Sequence, residues 1–92
     1  MRYVRDAAFK RAYQALDPVR QHRVDRALVQ LVTLFAEHQR PFGLGLKTLK
    51  PRIWEIRAGL DDRIVFRWSG DTVEFLIVGT HDEIRRLLKH LG

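Results

Sequence analysis

Ninety-two residues make one domain, taken as spanning 1–92, with no room for a second core. No window approaches the ~20 apolar residues that cross a bilayer, and Met1-Arg2-Tyr3-Val4-Arg5-Asp6 lacks the apolar run of a secretory signal. The chain has no cysteine, which excludes disulfides and thiolate metal sites and suits a reducing cytoplasm, and its formal charge of +6 makes polyanions the natural partners. Lys and Arg are spread along the chain: eight before residue 41, six from Lys47 to Arg67, three after Thr80. Any anion-binding surface therefore has to be assembled by the fold.

The first forty residues predict two helices, with Met1 to Val4 open to a short strand leading in. Asp6 is placed to cap the first helix, whose Phe9, Ala12, Tyr13 and Leu16 have helical spacing. Asp17-Pro18 ends it and starts the second, with Asp as N-cap and Pro at the first helical position. Val24, Leu28, Leu31, Val32 and Phe35 form one apolar stripe on the second helix, and so short a connection predicts an antiparallel helical hairpin. Pro41-Phe42-Gly43-Leu44-Gly45 reads as a loop, after which the period switches to two. Ile53–Arg57, Arg63–Trp68 and Val73–Val78 are strands, and Leu46–Lys50 is a candidate fourth. The connections Gly59-Leu60-Asp61-Asp62 and Ser69-Gly70-Asp71-Thr72 are turn-like and imply antiparallel neighbours. The segment Val73–Val78 is almost wholly apolar and is expected to lie centrally in the sheet with both faces covered. Thr80-His81-Asp82-Glu83 matches a capping box opening a terminal helix with Ile84, Leu87, Leu88 and Leu91 on one face. The fold class expected is α+β: an N-terminal helical hairpin on a curled, mainly antiparallel sheet of three to five strands, with a short C-terminal helix.

Alternation sorts the strands. Trp54 and Ile56 share a face with Ile64, Phe66 and Trp68, which belongs against the helices; Glu55, Arg57, Arg63 and Arg67 gather on the other. One carboxylate among guanidiniums can orient an RNA phosphate and take a proton near it. A solvated sheet face with cross-strand Glu–Arg pairs has the same pattern. His81, first residue of the terminal helix, sits beside unpaired backbone N–H groups and the positive end of the helix dipole, where an anion is held. Lys47, Lys50 and Arg52 precede the first clear strand and are candidate contacts to backbone phosphates, with Arg67 beside them; a charged edge that discourages strand pairing explains them equally well. Tyr3, Tyr13, Trp54 and Trp68 read as core rather than stacking platforms, and His22, His38 and His90 have no metal spacing. Walker A, Rossmann, nucleophile-elbow and HExxH patterns are all missing, which argues against those chemistries.

Three stretches together resemble the RelE/ParE toxin superfamily, along nearly all the chain. Leu46-Lys47-Thr48-Leu49-Lys50 with Ile53-Trp54-Glu55-Ile56-Arg57 is similar to its basic strand, and Asp62-Arg63-Ile64-Val65-Phe66 to its arginine strand. Ile77-Val78-Gly79-Thr80-His81-Asp82 is similar to its last strand. The resemblance implies a cytoplasmic toxin held inactive by a cognate antitoxin. For the RelE-like branch it implies cleavage of mRNA on the ribosome by attack of the ribose 2′-OH on the adjacent phosphate, with no metal and no cofactor. It further implies that Arg63 binds the scissile phosphate, Arg57 stabilises the same charge, His81 donates a proton or binds phosphate, and Glu55 is the general base. Where several members carry an aromatic soon after the last basic residue, this chain has Ile84 and Leu87. The alternatives are a ParE-like poison of DNA gyrase, expected if Glu55, Arg57, Arg63 and His81 are internally paired or misplaced, and a non-catalytic RNA-binding relative.

Overall fold

A computed structural model describes residues 1–39 and 43–90. In chain order the elements are β1 (Arg2–Arg5), α1 (Ala7–Gln14), α2 (Pro18–Glu37), β2 (Lys47–Lys50), β3 (Ile53–Ala58), β4 (Asp62–Ser69), β5 (Thr72–Thr80) and α3 (His81–Leu88). Pro41, Phe42 and Leu91, assigned above to a loop and to the terminal helix face, lie outside the described residues. The sheet runs β1-β5-β4-β3-β2. The three pairs from β2 to β5 are antiparallel, while β1 runs parallel to β5, Arg2 opposite Thr72 and Arg5 opposite Phe75. The open lead-in segment is thus a strand, and it pairs with the last strand of the chain. No helix among the described residues is long and apolar enough to cross a membrane.

Local chemistry sets the helices. Asp17 caps α2, its Oδ1 accepting from the Arg20 N–H at 2.9 Å, with Pro18 at the start of the helix. Asp6 stands at the N-cap of α1 in extended backbone, but its side chain makes no capping bond; it turns instead towards Glu74. The helices fold back on each other across the turn after Gln14, where the Tyr13 hydroxyl donates to Asp25 at 2.8 Å and Gln21 Nε2 to the Tyr13 carbonyl at 3.0 Å. α1 rests on β5 and α2 on β3 and β4. Phe9, Val24, Leu31, Ile56, Ile64, Phe66, Val73 and Phe75 fill the space between, with Leu28, Phe35, Trp54 and Trp68 packed around them. Val32, expected in the stripe, is exposed: it follows the buried Leu31 by about 100° around the helix, which turns it off the sheet.

α3 covers the opposite sheet face with a second, smaller core of Ile53, Val65, Leu76 and Ile84, supported by Leu49, Ile77 and Leu88. Between Val65, opposite Ile77, and Phe66, opposite Phe75, the register shifts by one, so Leu76 is an extra residue in β5. This bulge breaks strict alternation. Phe75 and Val78 enter the larger core, while the adjacent Leu76 and Ile77 enter the smaller one. Both faces of β5 are covered, which is why its sequence is so apolar. Thr80 and Glu83 close the capping box of α3: the Glu83 N–H donates to Thr80 Oγ1 and the Thr80 N–H to Glu83 Oε1.

Candidate functional site

The pairing of β3 with β4 places Arg57 directly opposite Arg63, and Glu55 opposite Val65. β2 adds Lys47 opposite Glu55. Arg57, Arg63, Lys47 and the Glu55 carboxylate thus lie together on the sheet face that α3 covers only in part. Like charges directly opposite each other weaken a sheet, so the Arg57–Arg63 pair is an arrangement that a bound anion would favour. Glu55 is 4% exposed. Its Oε2 lies 3.6 Å from Lys47 Nζ and 4.0 Å from Arg63 Nε.

The two arginines are held differently. The Arg63 side chain is only 14% exposed, and its Nη1 donates to the carbonyls of Leu60 at 3.1 Å and Asp62 at 3.0 Å. Arg57 is exposed at the end of β3, and its backbone N–H donates to the Leu44 carbonyl at 2.8 Å. Its stem crosses the backbone of Gly45, where a Cβ would stand 2.8 Å from Arg57 Cγ and Cδ. Gly45 has φ +64°, so the loop before β2 brings an unobstructed backbone under the arginine.

β5 continues the same end of the sheet: Gly79 is opposite Arg63, Thr80 is opposite Asp62, and His81 follows as the first residue of α3. The His81 side chain is 52% exposed, with Nδ1 3.7 Å from Asp82 Oδ1. It opens on a shallow hollow of about 450 Å³ lined also by Arg20, Leu60, Asp61 and Thr80. The Gly59–Asp62 turn is therefore shared: the Leu60 side of it borders the His81 hollow, and its carbonyls hold Arg63.

Several solved structures have the same arrangement of elements. A chain of the DinJ-YafQ complex from E. coli superposes with a TM-score of 0.69 at 16% identity, covering 91% of this chain and 98% of the other. One from the RelB-RelE antitoxin-toxin complex of Methanococcus jannaschii gives 0.67 at 19%, covering 91% and 96%. The YoeB/ParE toxin from Agrobacterium tumefaciens gives 0.66 at 19%, covering 88% and 99%. This chain has the RelE/ParE toxin fold. By sequence, no family model and no curated protein matches it.

On this RelE/ParE fold the four residues Glu55, Arg57, Arg63 and His81 gather at one end of the sheet, and the cations named with them do not all join. Arg67, on the same face as Arg63, pairs with Glu74 at 2.7 Å, beside Asp6, whose carboxyl is held above its ordinary range by burial and by Glu74. Lys50 Nζ donates to the Leu88 carbonyl at 3.1 Å and so ties β2 to the end of α3. Arg52 occupies the turn between β2 and β3 at φ +67°, its carbonyl accepting from the Trp68 N–H. Lys47 is the one of that group that reaches Glu55. Of the four aromatics read as core, Tyr13, Trp54 and Trp68 are packed against it, while Tyr3 lies at the rim, stacked on Phe75 at 6.2 Å. Of the two residues noted after His81, Ile84 is buried under the sheet and Leu87 is exposed. Sequence reasoning missed Gly45, Arg20 and Asp62. A glycine two residues beyond Gly43 hinted at special backbone, but nothing local connects Arg20 with Asp62.

Proposed function

We propose that this chain is the toxin of a toxin–antitoxin pair and that it cuts mRNA on the ribosome. The observation that carries the reading is the cross-strand pair Arg57–Arg63, with the Glu55 carboxylate one step along and His81 at the same end of the sheet. In the proposed step the 2′-oxygen attacks the adjacent phosphorus and the P–O5′ bond breaks, leaving a 2′,3′-cyclic phosphate and a free 5′-hydroxyl. Glu55 takes the 2′-OH proton once phosphate draws Lys47 aside. Arg57 and Arg63 stabilise the charge that builds on the non-bridging oxygens. His81, at the positive end of α3, supplies the proton to O5′. Lys47 and Arg52 extend the contact along the RNA backbone. This scheme draws on side chains alone and requires neither metal nor cofactor. An antitoxin as partner is supported by the RelB-RelE and DinJ-YafQ structures, which are complexes of that kind. A cytoplasmic location follows from the substrate.

A second reading has one observation in its favour. Arg63 is engaged by two backbone carbonyls and by Glu55, the internal pairing expected of a toxin that poisons gyrase without cutting RNA. The deciding experiment is reconstituted translation with mapping of mRNA ends, using wild type, Arg63→Ala and a ribosome-free control. Cuts on ribosomes alone, reduced roughly 100-fold in the variant, are the expected result. Intact mRNA with normal protein synthesis refutes the nuclease, and inhibition of gyrase supercoiling in a parallel assay then supports the second reading.

A further inference from the structure

We propose that Arg20, from the first turn of α2, is a positioning residue that sets the place of the Arg63 guanidinium through Asp62. The inference rests on Arg63 belonging to the site described above. Arg20 grips Asp62 with both ends of its fork: Nη2 to Oδ1 at 2.6 Å and Nε to Oδ2 at 2.9 Å. Asp62 is 1% exposed, and its own carbonyl is one of the two that accept from Arg63 Nη1; the other belongs to Leu60. The connection from helix to guanidinium is therefore a continuous run of short hydrogen bonds and one turn of backbone.

The turn is closed by the pairing of Ala58 with Asp62, and its tip has no apolar anchor. Leu60 is 88% exposed, so no apolar side chain anchors the loop, and Gly59 sits at φ +85° with the Arg23 stem lying close against its backbone. Two arginines of α2 thus clamp a turn that lacks a hydrophobic footing. α2 itself is seated by Val24, Ala27 and Leu31 and does not depend on the ion pair for its place. Replacing a buried ion pair by apolar groups is often neutral or stabilising, so a stability requirement alone does not account for this one. What the fork supplies is direction: planar, bidentate geometry that a point charge lacks.

The test compares wild type with Arg20→Lys and with the double variant Arg20→Met/Asp62→Leu, which removes the pair without leaving a buried charge. Two readouts are taken on protein whose cooperative unfolding has been verified. The first, on free protein, is the ¹⁵N–¹H signal of the Arg63 side chain, which in wild type should be sharp and slow to exchange with water. The second is single-turnover mRNA cleavage on ribosomes against toxin concentration. The expected result is a faster-exchanging Arg63 signal in both variants, with the maximal cleavage rate down about 10- to 100-fold and half-saturation little changed; Arg20→Lys should fall between. A folded double variant with an unaltered Arg63 signal overturns the proposal. So does one whose signal changes while cleavage proceeds at the wild-type rate. Should wild type cut no RNA, the nuclease reading falls by itself, and the Arg63 signal alone decides whether Arg20 holds that guanidinium.

Discussion

Gly45 and Arg57 occupy a volume that would otherwise be filled twice. Placing a methyl group at residue 45 sets it 2.8 Å from the arginine stem, and the φ of +64° costs an L-residue about 1–2 kcal/mol. Gly45→Ala should lower the unfolding free energy, read by urea, by that order and displace Arg57. Gly45→Asn, milder in the left-handed region but equally crowding, should recover much of the stability while still displacing Arg57, so comparing cleavage by the two separates strain from crowding. At the far end of the same sheet face, Asp6 has a raised pKa, first from burial and then from Glu74. A carboxyl that binds its proton more readily when folded favours folding in acid, and that contribution is lost as pH rises through the folded value. Asp6→Asn should therefore be more stable than wild type at neutral pH, by urea unfolding, and the gain should disappear below the ordinary aspartate value of 3.8. A variant no more stable than wild type at neutral pH would show that Asp6 and Glu74 do not oppose each other. The alternation of two adjacent strands was enough to put Glu55, Arg57 and Arg63 on one face. Asp6 takes the N-cap position read from the sequence, but its side chain bonds Glu74 rather than the helix end, which no local pattern foretells. Arg20 and Asp62 are 42 positions apart, and no periodicity links residues at that distance.

α3 is an eight-residue helix, too short to stand without its cap and its buried Ile84. Thr80→Ala removes the hydroxyl that accepts the Glu83 N–H and should cost about 1 kcal/mol. The loss should appear as faster amide exchange across 81–88 ahead of any change in β4. Glu83 is held below its ordinary range, first by the Thr80 backbone N–H and then by its hydroxyl. A depressed carboxylate contributes stability above its unfolded value of 4.5, lost as pH falls through the folded one. Acid should thus release α3 early in wild type, and Glu83→Gln should flatten that dependence; equal acid sensitivity in the two would refute it. The capping box was legible because it is written in four consecutive residues. The bulge at Leu76 was not: an apolar run reads the same whether it alternates or slips, and only the facing strand shows where the extra residue falls.

Across the whole molecule, the kinds and order of the elements followed from periodicity and turns, and their order in space only in part. Short connections correctly gave the β2-β3-β4-β5 meander. The partner of the first strand could not be inferred from spacing, because a parallel pairing closes over most of the chain. That pairing has a testable cost. A fragment of residues 1–71 retains β1, both hairpin helices and β2 to β4, yet lacks the strand that separates β1 from β4 and carries α1. It should show no cooperative unfolding transition and little amide protection; a sharp transition would mean that residues 1–71 fold alone. The same topology orders events during synthesis. As the chain grows from its amino end, β1 and α1 emerge first and wait for β5, which brings Gly79 with it and is followed by His81. Glu55, Arg57 and Arg63 are therefore made before the strand that completes their surroundings. A protein proposed to attack translating ribosomes is built so that it cannot take its active shape until β5 and α3 have left the ribosome that makes them.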